Sequence, residues 1–224
     1  MRRIRKMRIL GLGGIAAAVA AIGVLAVPAS AQALLVPTGG GYDNYPPMNS
    51  PTQSAMAPST DPGDAMLTRQ LAAARVATAK YATNLDRAKE DGYQIITMMM
   101  PNMGFHFMNP NIHVFNVRKP QILVYEHTDG KWQLGALEWV FTKMPQTPPL
   151  ANATFGSFPA ACHYKDGTFI ADENSKTCPK KASTGAAFTF WHPDLITMHV
   201  WIWYPNPAGL FSSTNPLVAP FNGG

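Results

Sequence analysis

Four ionisable residues stand inside strongly apolar stretches of the sequence. His106 lies in Gly104-Phe105-His106-Phe107-Met108, and Glu126 ends Ile122-Leu123-Val124-Tyr125-Glu126. Glu138 lies in Ala136-Leu137-Glu138-Trp139-Val140-Phe141, and His199 in Ile196-Thr197-Met198-His199-Val200-Trp201-Ile202-Trp203. Two imidazoles with one or two carboxylates form a common ligand set for Zn, Fe, Mn or Cu. Side chains alternate between the faces of a strand, so apolar residues on both sides of each group imply that at least one face is buried. Burying an unpaired carboxylate costs several kcal/mol. Glu138 is therefore expected to be paired, protonated or bound to a metal. Neighbouring strands lie about 5 Å apart, so a sheet can assemble such a set without any local motif. The expectation is a metal or ligand pocket within the sheet made by His106, Glu138 and His199, with Glu126 as a fourth candidate. The competing reading points each group to solvent on a half-exposed sheet, or pairs His106 with Glu138 by a hydrogen bond alone.

The remaining histidines read differently. His192, between Trp191 and Pro193, and His127, at a hairpin edge, read as surface or turn residues, as do His113 and His163. Met98, Met99, Met100, Met103 and Met108 surround His106 in the sequence. Thioether with imidazole suits copper, and the alternative is that methionine fills irregular core gaps. The chain has no G-x-S-x-G elbow, no S-x-x-K, no dinucleotide or phosphate-binding glycine loop and no CxxCH. Glu126 and Glu138 could serve glycoside chemistry as a pair, but nothing marks a sugar cleft beyond the Trp and Tyr content.

These residues need strands to carry them, and the sequence supplies candidates. Turn chemistry at Pro101-Asn102, Asn109-Pro110-Asn111, Thr128-Asp129-Gly130 and Pro145 to Pro149 separates apolar runs. The runs predict strands over 93–99, 103–108, 121–127, 131–141, 168–171, 186–191 and 195–204, with 151–161 irregular. Ahead of them Asp61, Pro62 and Asp64 open a helix and Gly92 closes it. Leu67, Leu71, Ala74, Thr78, Tyr81, Leu85 and Ala88 recur at alternating steps of four and three and predict its buried stripe. One long N-terminal helix packed on an antiparallel sheet, or on a barrel-like curved sheet, is an α+β arrangement.

The ends of the chain speak to location. Residues 1–8 are basic, Ile9 to Val27 is an uncharged apolar run, and Ala29-Ser30-Ala31 follows Pro28. This is the pattern of a secretory signal peptide over residues 1–31, with an uncleaved anchor as the alternative. Residues 32–61 are rich in Pro and Gly and read as a flexible arm, leaving 62–224 as a single domain. The net charge of +5 comes from the first eight residues, and beyond residue 31 basic and acidic residues number 13 each. A neutral mature chain has no bulk field for phosphate, which argues against nucleic acid, and no second long apolar run predicts stable membrane insertion after cleavage. Cys162 and Cys178 are the only cysteines. In an oxidising compartment they predict a disulfide, with a Cys/His metal site at Cys162-His163 as the alternative.

Met103-Gly104-Phe105-His106-Phe107-Met108-Asn109-Pro110, taken with His199-Val200-Trp201-Ile202-Trp203-Tyr204-Pro205-Asn206-Pro207-Ala208-Gly209-Leu210-Phe211, resembles a group of small secreted bacterial proteins. The resemblance runs over about residues 68–218, including Asp91-Gly92-Tyr93 and Leu137-Glu138, and leaves the Cys162–Cys178 loop as a local elaboration. It implies a bacterial exported protein, secreted or periplasmic, and carries no activity with it. The leading expectation is an exported protein that binds a divalent metal or small ligand, with metal-assisted oxidation or hydrolysis as the class if it is an enzyme. The alternatives are a non-catalytic module for a small apolar ligand and a structural cell-envelope protein.

Overall fold

The computed structural model describes residues 61–223. The signal-peptide segment 1–31 and residues 32–60 of the arm lie outside the described residues. Helix α1 (Pro62–Thr78) starts where the sequence places it: Asp61 is the N-cap, its Oδ1 accepting from the Gly63 N–H at 2.8 Å, and Pro62 occupies the first turn. The helix does not run unbroken to Gly92. A 3-10 turn covers Ala79–Tyr81, and a separate short helix, α2 (Leu85–Glu90), is capped by Asn84, whose side chain accepts from the Arg87 N–H. The reason is tertiary. The Tyr125 hydroxyl donates to the Tyr81 carbonyl at 2.8 Å, and the Leu134 N–H donates to the Ala82 carbonyl at 2.8 Å. The break frees two carbonyls that the sheet then satisfies. The apolar stripe survives it, with Ala74, Thr78, Tyr81, Leu85 and Ala88 buried and Leu67 and Leu71 packed on the core. The single long helix of the sequence reading is thus corrected to two helices joined by a bend.

The strands are β1 (Gln94–Met100), β2 (Gly104–Met108), β3 (Ile122–Thr128), β4 (Lys131–Phe141), β5 (Gly156–Phe158), β6 (Ala161–Tyr164), β7 (Phe169–Ala171), β8 (Phe188–His192) and β9 (Leu195–Val200). Six form one antiparallel sheet in the order β1-β2-β3-β4-β9-β5, and three form a second in the order β7-β6-β8. The α+β class is as the sequence implies. The Thr128-Asp129-Gly130 hairpin is present, with Asp129 and Gly130 both at positive φ. Two strands arise in or beside the segment read as irregular, β5 and β6, and the last large-sheet strand ends at Val200 rather than Tyr204. There the chain turns back across the sheet: the Trp203 and Tyr204 N–H groups both donate to the Gly135 carbonyl.

Alternation divides the large sheet into two faces. Phe105, Phe107, Leu123, Tyr125, Leu137, Trp139, Met198 and Val200 pack with Ala74, Tyr81, Leu85 and Ala88 of the helical layer. Ile122, Val124 and Ala136 belong to a second cluster with Ile96, Trp201 and Val218, the last from a 3-10 segment, Pro216–Phe221. His106, Glu138 and His199 each lie one residue out of phase with the helix-facing set, so all three project on the side away from the helices. The disulfide Cys162–Cys178 is formed and ties β6 to the loop before β8. Among the described residues no helix is long and apolar enough to cross a membrane.

Candidate metal centre

His106 is placed by β2, whose first residue must be glycine. Gly104 has φ 120°, and a Cβ there would stand 2.7 Å from the Tyr125 carbonyl oxygen. His106 pairs with Thr97 of β1 and is held by it twice: Thr97 Oγ1 accepts from the His106 backbone N–H at 3.2 Å and lies 2.8 Å from His106 Nδ1. Glu138 sits in β4 directly across from His199 in β9 and across from Ile122 in β3. The path from β2 to β9 crosses three strand intervals, about 14 Å in a flat sheet. The rings of His106 and His199 nevertheless stand 5.8 Å apart, edge to face. Sheet curl and inward-pointing side chains close that gap, which is what the barrel-like expectation requires.

The three side chains are buried, each 4% exposed. His106 Nε2 and His199 Nε2 each lie 3.6 Å from Glu138 Oε2. That is longer than an N–H···O hydrogen bond. Among the described residues Glu138 Oε2 and both nitrogens of His199 have no hydrogen-bond partner. One donor atom from each residue falls within a common 4.8 Å. Burial pushes the Glu138 carboxyl up to about 8. Burial also pushes His199 down to about 4, and burial with the neighbouring His199 pushes His106 down to about 3. Burial thus disfavours the charged form of all three groups. The three donors lie close enough together that the cluster can hold a metal ion.

Glu126 is not brought to this group. It lies on the same face of β3 as Ile122 but four positions along, paired across from Gln133. It borders a separate cavity of about 690 Å³ with Asn84, Lys131 and Phe221. Glu126 is buried, its carboxyl is pushed up to about 8 by burial, and among the described residues neither oxygen has a partner. The space for it comes from Gly135, where a Cβ would lie 2.8 Å from Glu126 Oε1.

The triad borders a cavity of about 1000 Å³, lined also by Met100, Met103 and Met108. Met98 is half exposed and not part of that lining. The expectation for two of the remaining histidines is corrected. His163 is fully buried and His192 is 9% exposed, whereas His113 is exposed and His127 half-buried. The cause is the second sheet: β6 and β8 pair, and His163, Phe190 and His192 share the face packed toward Phe158 and β1. The sequence signal was the alternation Phe188, Phe190, His192 together with the apolar run Ala160-Ala161-Cys162-His163-Tyr164.

No family model matches this chain, and neither a curated protein nor a solved structure matches it. The functional reading rests on the site.

Proposed function

We propose that this is an exported protein that holds a divalent transition metal, Zn, Fe, Mn or Cu, through His106, Glu138 and His199. The observation that carries the reading is the spacing at Glu138 Oε2, with an imidazole Nε2 at 3.6 Å on each side. An ion about 2.1 Å from each donor in tetrahedral geometry sets neighbouring ligand atoms about 3.4 Å apart. The separation suits a shared ion better than a hydrogen-bonded network. The second support is electrical: burial disfavours a bare carboxylate at Glu138, and a cation held by the three residues would offset that cost. The third is orientation. Binding an ion through Nε2 would put the His106 proton on Nδ1, where Thr97 Oγ1, 2.8 Å away, can accept it and fix the ring. An ion held by three protein donors that line a cavity would supply Lewis-acid or redox chemistry to a molecule in that cavity. The formed disulfide and the signal-like segment support export.

The experiment is elemental analysis of the protein exported natively and purified without a His tag or chelator. Near-stoichiometric metal that disappears in the double variant His106→Ala/His199→Ala supports the centre and names its ion. A protein that carries none and takes up none on reconstitution sinks it. The second reading, a module for a small apolar ligand, is favoured by the Met and aromatic lining of the cavity. It gains if a ligand-induced thermal shift occurs without metal.

A further inference from the structure

The cavity beside the triad has another built feature, on the second sheet. His192 lines it and is 9% exposed. His192 Nδ1 lies 2.7 Å from the Pro193 carbonyl oxygen. A carbonyl only accepts, so Nδ1 carries the proton and Nε2 of the neutral ring is a bare acceptor. Burial holds His192 below its ordinary pKa, which keeps the ring neutral at pH 7. Nε2 has no partner. His163, 5.0 Å away between centroids, repeats the pattern: its Nδ1 is tied to the Ile96 carbonyl and its Nε2 is bare. No donor from His163 therefore reaches His192. An orphaned buried acceptor is costly, and one that lines a cavity is satisfied by whatever enters it.

The occupant's chemistry follows from the lining. A carboxylate or phosphate would set lone pair against lone pair at His192 Nε2. The occupant needs a hydrogen to donate. The His192 ring has Phe158 at 5.0 Å between centroids, and the cavity it lines is walled elsewhere by rings and thioethers, among them Phe115, Trp191, Met103 and Met108. Aromatic edges and methionine sulfur both favour an aromatic guest. A hydroxyl attached to such a ring is a stronger donor than an aliphatic one. We propose that the cavity takes a small phenol-class aromatic whose hydroxyl donates to His192 Nε2 and whose ring lies among these side chains beside the metal centre. The proposal rests on the metal-site reading for that neighbour, whereas the hydroxyl contact stands on His192 alone.

The test titrates the natively exported protein with phenol and with toluene, following heat release and thermal shift, with metal content measured on the same sample. Phenol is expected to bind at least tenfold more tightly than toluene. His192→Phe should reduce phenol to the affinity of toluene and leave toluene unchanged. His192→Gln, which restores an acceptor oxygen, should recover part of the preference. Equal affinities for the two probes in the unaltered protein overturn the proposal without any variant. So does a phenol preference that His192→Phe leaves intact. The two readings fail separately. A metal-free protein that still prefers phenol through His192 removes the centre and keeps the hydroxyl contact. A metal-loaded protein without that preference does the reverse.

Discussion

Glu138 and Glu126 are two buried carboxyls on one face of one sheet, and they have opposite surroundings. Ile122 of β3 faces Glu138, and Glu126 follows four positions along the same strand. Burial raises both to about 8, and each has an oxygen without a partner. What separates them is their neighbours. Glu138 has an imidazole nitrogen 3.6 Å away on each side, and Glu126 joins no such group. Burial is enough to perturb a carboxyl, but two converging lone pairs are needed to make it a ligand. The largest expected effect tests that difference. Glu138→Gln replaces the one anionic donor with a weakly ligating amide oxygen and should weaken metal binding at least a thousandfold, about 4 kcal/mol or more. Glu126→Gln should leave metal content unchanged. Competition with a chromophoric chelator measures both, and equal losses would make Glu126 part of the centre and dissolve the contrast.

The next effect concerns stability. The Glu126 carboxyl keeps its proton up to about pH 8 in the folded chain, against an ordinary value of 4.5. Between those values this group binds more protons in the folded state than in the unfolded one, so its contribution to stability is complete below pH 4.5 and is lost as pH rises toward 8. Glu126→Gln removes this loss. The variant should match the parent at pH 4.5 and exceed it at pH 8 by on the order of 3 kcal/mol, allowing for water reaching the group. Urea unfolding at the two pH values decides it. A difference between the proteins that is the same at both would show that Glu126 is not held protonated.

The convergence of His106, Glu138 and His199 was legible because a strand's alternation is a local signal. Large apolar neighbours at Phe105 and Phe107, Leu137 and Trp139, and Met198 and Val200 announce a buried face, and the polar residue between them must take the other. Where Glu126 ends up was not legible. It depends on the register of β3 against β4, shifted between Val124 and Tyr125, and register is a pairing property. The helix break failed for a similar reason. The stripe continues through Thr78, Tyr81 and Leu85, and only hydrogen bonds from Tyr125 and Leu134 show why the backbone leaves the helix. His163 was misread because β6 is four residues long and carries Cys162, the start of the disulfide loop, and His192 because it ends β8 immediately before Pro193. A short apolar run has no period to betray it.

Within the centre the two imidazoles are unequal. His106 has Thr97 at Nδ1, whereas Nδ1 of His199 has no partner. The metal should therefore lean on His106 for orientation. Thr97→Val keeps the shape and removes the hydroxyl. It should weaken metal binding tenfold to a hundredfold, about 1.4 to 2.7 kcal/mol, the usual effect of losing a group that orients a ligating histidine. The loss should vanish when His106 is already alanine. If Thr97→Val weakens the His106→Ala protein just as much, Thr97 acts on the strand pairing and not through the ring.

The smallest effect returns to Glu126, at the glycine that accommodates it. A methyl at Gly135 would stand 2.8 Å from Glu126 Oε1 and 3.3 Å from Trp201 Cζ3. The carboxyl is the end of a side chain that can turn, whereas the indole is locked by its Nε1–H donating to the Ser212 carbonyl at 2.7 Å. Gly135→Ala should therefore cost only about 1 kcal/mol, near the lower end of overpacking penalties. Most of that cost should disappear in Glu126→Ala, where the carboxyl is absent. A double-mutant cycle by urea unfolding reads the coupling directly. Coupling near zero would place the strain on Trp201. In that case Gly135 would be glycine for the indole and for the chain crossing at Trp203 and Tyr204, and Glu126 would occupy space that another side chain's packing had opened.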